Sequence, residues 1–104
     1  MHKAGDVILI YMQFADSYET KKRPALILFS ELGNIVVAGI TSNIKMQGIP
    51  LLKKEGAVKD SVIKLNYIFT TSEKLVVKKL FHISKDKKRV VYKEFMKRLS
   101  ILYG

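Results

Sequence analysis

Two apolar runs, residues 25–29 and 35–40, flank a Gly33-Asn34 pair. Both of those residues tolerate the positive φ of a two-residue turn, so the pattern predicts a β-hairpin. If Leu32 pairs with Ile35, Thr41 falls opposite Leu26. Arg23 then lies three residues further along its strand, roughly 10 Å away at about 3.3 Å per residue. The open end of the hairpin thus carries a guanidinium and a Thr41-Ser42-Asn43 cluster. In that register strict alternation sends Arg23 and Thr41 to opposite faces, unless a bulge or strand start at Pro24 resets the direction.

The rest of the chain follows the same kind of pattern. Residues 7–14 form a β-branched and aromatic run, read as a strand buried on both sides for part of its length. Residues 15–22 (ADSYETKK) read as a polar loop, either a binding loop or a solvated connector. A polar connector spans 44–49, a short edge strand 50–52 and a turn 53–56. Residues 61–69 read as a strand with Val62, Tyr67 and Ile68 in the core and Lys64 and Asn66 sharing one face. A single helical turn is expected near 70–73 and a strand over 75–83. Ser84 is a good N-cap for a final helix, whose apolar stripe is Val91, Phe95, Leu99 and Leu102. Several short strands and one terminal helix predict a mainly β fold, a small, strongly bent barrel with the helix packed on it.

A chain of 104 residues with 48% apolar residues suits one domain, 1–104, with a single core. No apolar run is long enough to span a membrane, and no signal-peptide layout is present, so a soluble cytoplasmic protein is expected. Cysteine is absent, which removes disulfides and thiolate metal sites. The formal charge of +10 is uneven: residues 74–104 hold ten basic and two acidic residues. Such an excess favours a polyanionic partner, most simply nucleic acid, although Lys-rich faces also serve solubility. Whether 74–88 meets RNA or only solvent stays open.

Glycine loops for phosphate and HxxxH or HExxH spacings are missing, so neither a nucleotide cradle nor a metal is expected; a serine nucleophile lacks its GxSxG turn. His82 reads as structural and His2 as a frayed terminus. What remains is Arg23 with Glu19, Lys21, Lys22, Thr41, Ser42, Asn43, Lys64 and Asn66, and Tyr18 in the loop nearby. That set is rich in phosphate-binding groups and poor in groups that titrate near neutrality. It suits phosphate binding, or stabilisation of the phosphorane formed when a ribose 2′-hydroxyl attacks the adjacent phosphate, or simply hairpin polarity.

The same residues resemble the MazF/PemK family of toxin endoribonucleases. The likeness runs through Gly5-Asp6, Lys22-Arg23-Pro24-Ala25-Leu26-Ile27-Leu28, Ala38-Gly39-Ile40-Thr41-Ser42, Asp60-Ser61-Val62-Ile63, Ile68-Phe69-Thr70 and Arg98-Leu99-Ser100-Ile101-Leu102, in order and over nearly the whole chain. The resemblance implies a small SH3-like barrel of the MazF/PemK (CcdB-like) type with a C-terminal helix, acting as a homodimer. It implies metal-independent, cofactor-free cutting of single-stranded RNA, with a 2′,3′-cyclic phosphate and a 5′-hydroxyl left behind, and a cognate acidic antitoxin. Arg23 and Thr41 fall on the family's catalytic arginine and threonine. Tyr18, Glu19, Lys21, Lys22, Ser42, Asn43, Lys64 and Asn66 would then line the RNA groove. The chain departs from the family pattern in the loop before Arg23, which lacks the GxEQxGxRP form, and at Lys64, Asn66 and Phe69. The alternative on the same barrel is a nucleic-acid-binding or gyrase-directed toxin without nuclease chemistry, acting through its terminal residues.

Overall fold

The computed structural model describes residues 2–13 and 20–104. Six strands form one antiparallel sheet: β1 (Asp6–Gln13), β2 (Thr20–Glu31), β3 (Asn34–Thr41), β4 (Ile49–Leu51), β5 (Ser61–Ser72) and β6 (Val76–His82). Their order across the sheet is β4-β5-β3-β2-β1-β6, and the sheet curls into a half-barrel that carries the helix α1 (Lys85–Tyr103). The mainly β architecture expected from the pattern is therefore present. β4 is an edge strand, and Ser84 caps α1 by accepting from the Lys87 N–H at 3.1 Å.

Both faces of the sheet bury apolar side chains, which explains why the strand sequences are apolar at consecutive positions. One cluster contains Val7, Leu26, Ala38, Ile40, Ile63 and Leu65, with Val91 and Phe95 of α1 against it. The other contains Ile8, Ile10, Ala25, Ile27, Ile35 and Val37.

The central hairpin differs from its expected form in a way that decides the site. The turn is Leu32-Gly33, with φ of 51° and 81°, and Glu31 pairs with Asn34. Positive φ at both turn residues is the hairpin geometry that follows the twist of the strands, and glycine meets it without strain. Leu32, 96% exposed, takes the left-handed conformation at a cost of about 1–2 kcal/mol. One tertiary feature offsets that cost: the carbonyl of Gly33 accepts the Glu73 N–H at 3.1 Å, tying the turn to the 3-10 turn Glu73–Leu75.

A second shift occurs between Ile27 and Phe29, where Leu28 is the extra residue. Beyond it Ile27 pairs with Val37, Leu26 with Ala38 and Ala25 with Gly39. Extending that register by two residues brings Arg23 level with Thr41. The net change from the expected register is an odd number of residues, so it also moves the two onto one face. The face conflict is thus resolved at Leu28 and the turn, not at Pro24.

Other expectations need correction. β2 begins at Thr20, so Lys21 and Lys22 belong to a strand and not to a loop. Tyr67 and Ile68 are 55% and 36% exposed instead of core, whereas Val62 is buried. The cause is a register break in which Gly39 pairs with Lys64 but Ala38 pairs with Ile68, so three residues lack a β3 partner: Leu65 stays in the core while Asn66 and Tyr67 turn outward. His2 is not frayed, since its N–H and Nδ1 lie 2.9 and 2.7 Å from Glu73 Oε1. On α1 only Val91 is buried; Leu99 is half-exposed beside residues 26–29 of β2, and Leu102 is 87% exposed.

Candidate functional site

Arg23 is directed from β2, Thr41 ends β3, and Lys64 faces Gly39 from β5. These three line one open cavity of about 230 Å³, together with Met12, Met46 and Tyr67. The β2–β3 pairs end at Ala25–Gly39, and Pro24, which has no N–H for a ladder, lines the cavity just beyond them. Gly39 and the bulged segment of β5 complete the wall. Lys64 is only 9% exposed and lines the same cavity as the Arg23 guanidinium. Among the described residues that line the cavity, none is Asp or Glu.

The threonine hydroxyl has a set orientation. Thr41 Oγ1 accepts the Asn43 N–H at 3.1 Å, which leaves the hydroxyl proton to donate elsewhere. Asn43 in turn accepts the Lys45 N–H through Oδ1 at 3.2 Å, closing a short turn after β3. The arrangement can hold a dianionic or pentacoordinate phosphorus group between two cations and one hydroxyl donor.

The remaining sequence-derived candidates disperse. Lys21 shares a face with Arg23 by alternation, while Lys22 lies on the other, its Nζ 5.6 Å from the centre of the Tyr11 ring. Ser42 lines a second, neighbouring cavity, and Asn43 serves the turn. Asn66 is exposed on the bulged segment and is not among the residues lining the cavity. Tyr18 and Glu19 lie outside the described residues. Met12, Met46 and Tyr67 were not expected here. Tyr67 had a usable signal, an aromatic interleaved with Lys64 and Asn66, but strand alternation argued for burial.

The histidines lie elsewhere. His82 Nδ1 is 2.7 Å from Asp6 Oδ1, and Lys79 Nζ is 3.4 Å from the same oxygen. Burial by itself raises the Asp6 carboxyl, but the Lys3 N–H, His82 and Lys79 outweigh it and hold the group below its ordinary value. Among the described residues, no group of three or more His, Asp or Glu side chains converges as a metal site would require.

The model of the PemK-like, MazF-like toxins of type II toxin–antitoxin systems matches residues 3–99. The chain belongs to this family. Solved structures agree in fold. MazE–MazF from Deinococcus radiodurans is 18% identical, with 95% of this chain and 96% of that one covered at a TM-score of 0.78. The Mycobacterium tuberculosis toxin MazF-mt6 is 20% identical over 89% and 96%, with a TM-score of 0.70. An endoribonuclease in complex with its cognate antitoxin from a mycobacterial species is 10% identical over 95% and 93%, at 0.73. Within this PemK/MazF-type chain, no helix among the described residues is long and apolar enough to cross a membrane.

Proposed function

We propose that the protein is a toxin endoribonuclease that cuts single-stranded RNA without a metal, and that the Arg23–Thr41–Lys64 cavity is its active site. The observation that carries this reading is the convergence of those three side chains on one cavity, in a chain of the PemK-like, MazF-like toxin family. RNA brings its own nucleophile, so no water needs activation. The 2′-oxygen attacks the adjacent phosphorus and loses its proton, while the bond from phosphorus to the 5′-oxygen breaks. That oxygen takes up a proton, leaving a 2′,3′-cyclic phosphate and a 5′-hydroxyl. Arg23 carries the charge that builds on the phosphorane and assists proton transfer. Thr41 donates its hydroxyl to a non-bridging oxygen, and Lys64 supplies a second cation at short range.

A cognate antitoxin of acidic composition fits the +10 charge of the chain. Two structural neighbours are toxin–antitoxin complexes by name, which supports an antitoxin partner here. The protein acts in the cytoplasm as a homodimer on this reading. One observation favours a second reading: Ile101, Leu102 and Tyr103 are 81%, 87% and 98% exposed, an apolar tip suited to a protein target such as gyrase.

The test is incubation with long RNA in EDTA beside Arg23→Ala. The wild type should cut, and the variant should be slower by roughly 10²–10³-fold, the usual cost of one transition-state donor. Equal cutting by both, or none by either, contradicts the nuclease reading. If deletion of residues 101–104 abolishes toxicity while Arg23→Ala leaves it intact, the tip-directed reading replaces it.

A further inference from the structure

A second cavity of about 380 Å³ opens on the other side of the hairpin end, and Arg23, Pro24 and Ile40 line both. Its volume falls in the range of sites for small organic groups, about 300–1,000 Å³. The walls are apolar, with Leu9, Leu80 and Phe81 over a floor that includes the buried Leu51. The Phe81 ring is braced rather than loose: it lies against the backbone of Gly56, where an added Cβ would meet it at 2.8 Å. Polar groups stand at the rim, where Ser42, Lys59 and Lys78 are all exposed. Neither cavity-lining aspartate nor glutamate is present among the described residues.

From this juxtaposition we infer that the second cavity receives the base of the nucleotide adjoining the cleaved phosphate, making it the pocket that reads sequence. The inference rests on the nuclease reading for the identity of the polymer. The reasoning is continuity. A phosphate on Arg23 in the first cavity leaves its flanking sugar at the splayed strand ends, next to the opening of the second. An apolar hole with an aromatic wall suits the face of a base, which stacks without regard to backbone charge. The two rim lysines suit the phosphate that follows, and the Ser42 hydroxyl offers both donor and acceptor to a base edge.

Val58 stands at the mouth of this cavity, is 81% exposed and does not line the first, so Val58→Trp plugs the opening with little demand on folding. A single-stranded RNA is selected for binding from a randomised pool, made in 2′-O-methyl form so that it resists cutting. Each position is then replaced in turn by an abasic residue. The wild type should lose on the order of tenfold in affinity at one position. Val58→Trp should bind the intact RNA that much more weakly, yet lose nothing further at the same position, because the two changes remove one contact. Lys78→Glu should weaken binding of every member of the series alike. Equal abasic losses in wild type and Val58→Trp at every position overturn the pocket, whether or not the wild type cuts RNA. The non-additive result with an unmodified RNA that stays intact keeps the pocket and rejects the nuclease chemistry. When the RNA is cut, the sensitive position should adjoin the cleaved phosphate, and a distant position contradicts the inference.

Discussion

At the β1–β6 edge the Asp6 carboxylate is buried, and His82, Lys79 and the Lys3 N–H meet it within 2.7–3.4 Å. In the cavity between β2, β3 and β5, Arg23 and Lys64 stand together instead, and no described lining residue is acidic. The first cluster neutralises itself, so its product is a fixed strand edge. The second sets two cations of one sign on a single cavity, a lining that suits an anion.

The largest expected effect lies in the self-neutralised cluster. Asp6→Ala removes the buried acceptor of the Lys3 N–H and of His82 Nδ1 and should cost about 2 kcal/mol of stability, less than a fully buried ion pair because Lys79 is 46% exposed and keeps its water. Thermal unfolding should fall by roughly 8 °C or more, since each kcal/mol moves a domain of this size by about 4–8 °C. Cutting per folded molecule should not change. A cutting defect without a stability loss would erase the distinction between the two regions.

Lys64→Met is the mirror experiment. On the proposed function it removes a buried charge that serves the ligand, so RNA cutting should drop about tenfold, whereas stability should hold or rise by about 1 kcal/mol. A destabilised Lys64→Met would mean that the cation is part of the fold's own pairing.

The smallest effect is in pH dependence. Asp6, Glu55 and Glu73 are each held below the ordinary carboxyl range. For Asp6 and Glu55 burial opposes the shift, and backbone N–H donors with Lys or His partners overcome it. For Glu73 the His2 backbone and ring bonds dominate outright. A depressed folded value stabilises the protein above the unfolded carboxyl range, and that contribution disappears as pH falls through the folded value, below about pH 4. Acid unfolding curves should show this loss in wild type and Lys64→Met alike, and a shallower one in Asp6→Asn.

Much of the fold was legible because its signals are local. Ser84 marked the helix start, Pro50-Leu51 the edge strand, and the apolar runs the central hairpin. The register was not legible, because it follows from which apolar cluster each residue joins after the sheet curls. Gly33-Asn34 is the better turn by propensity, yet the bond from Glu73 to Gly33 favours Leu32-Gly33, and the extra residue Leu28 then sets Ile27 against Val37. The same non-local choice brought Arg23 level with Thr41. Tyr67 was misread for an equivalent reason, since period-two alternation cannot see a bulge that leaves three residues of β5 without a β3 partner. His2 finds Glu73 across 71 positions of sequence, a separation no local pattern encodes.

The central claim is that Arg23 and Thr41 act on one phosphate. Single-turnover cutting of one RNA by wild type, Arg23→Ala, Thr41→Val and the double variant tests it most directly. If both side chains hold the same group, the double variant should lose clearly less than the product of the two single losses. Losses that multiply in full would place the two residues at separate tasks and contradict the account.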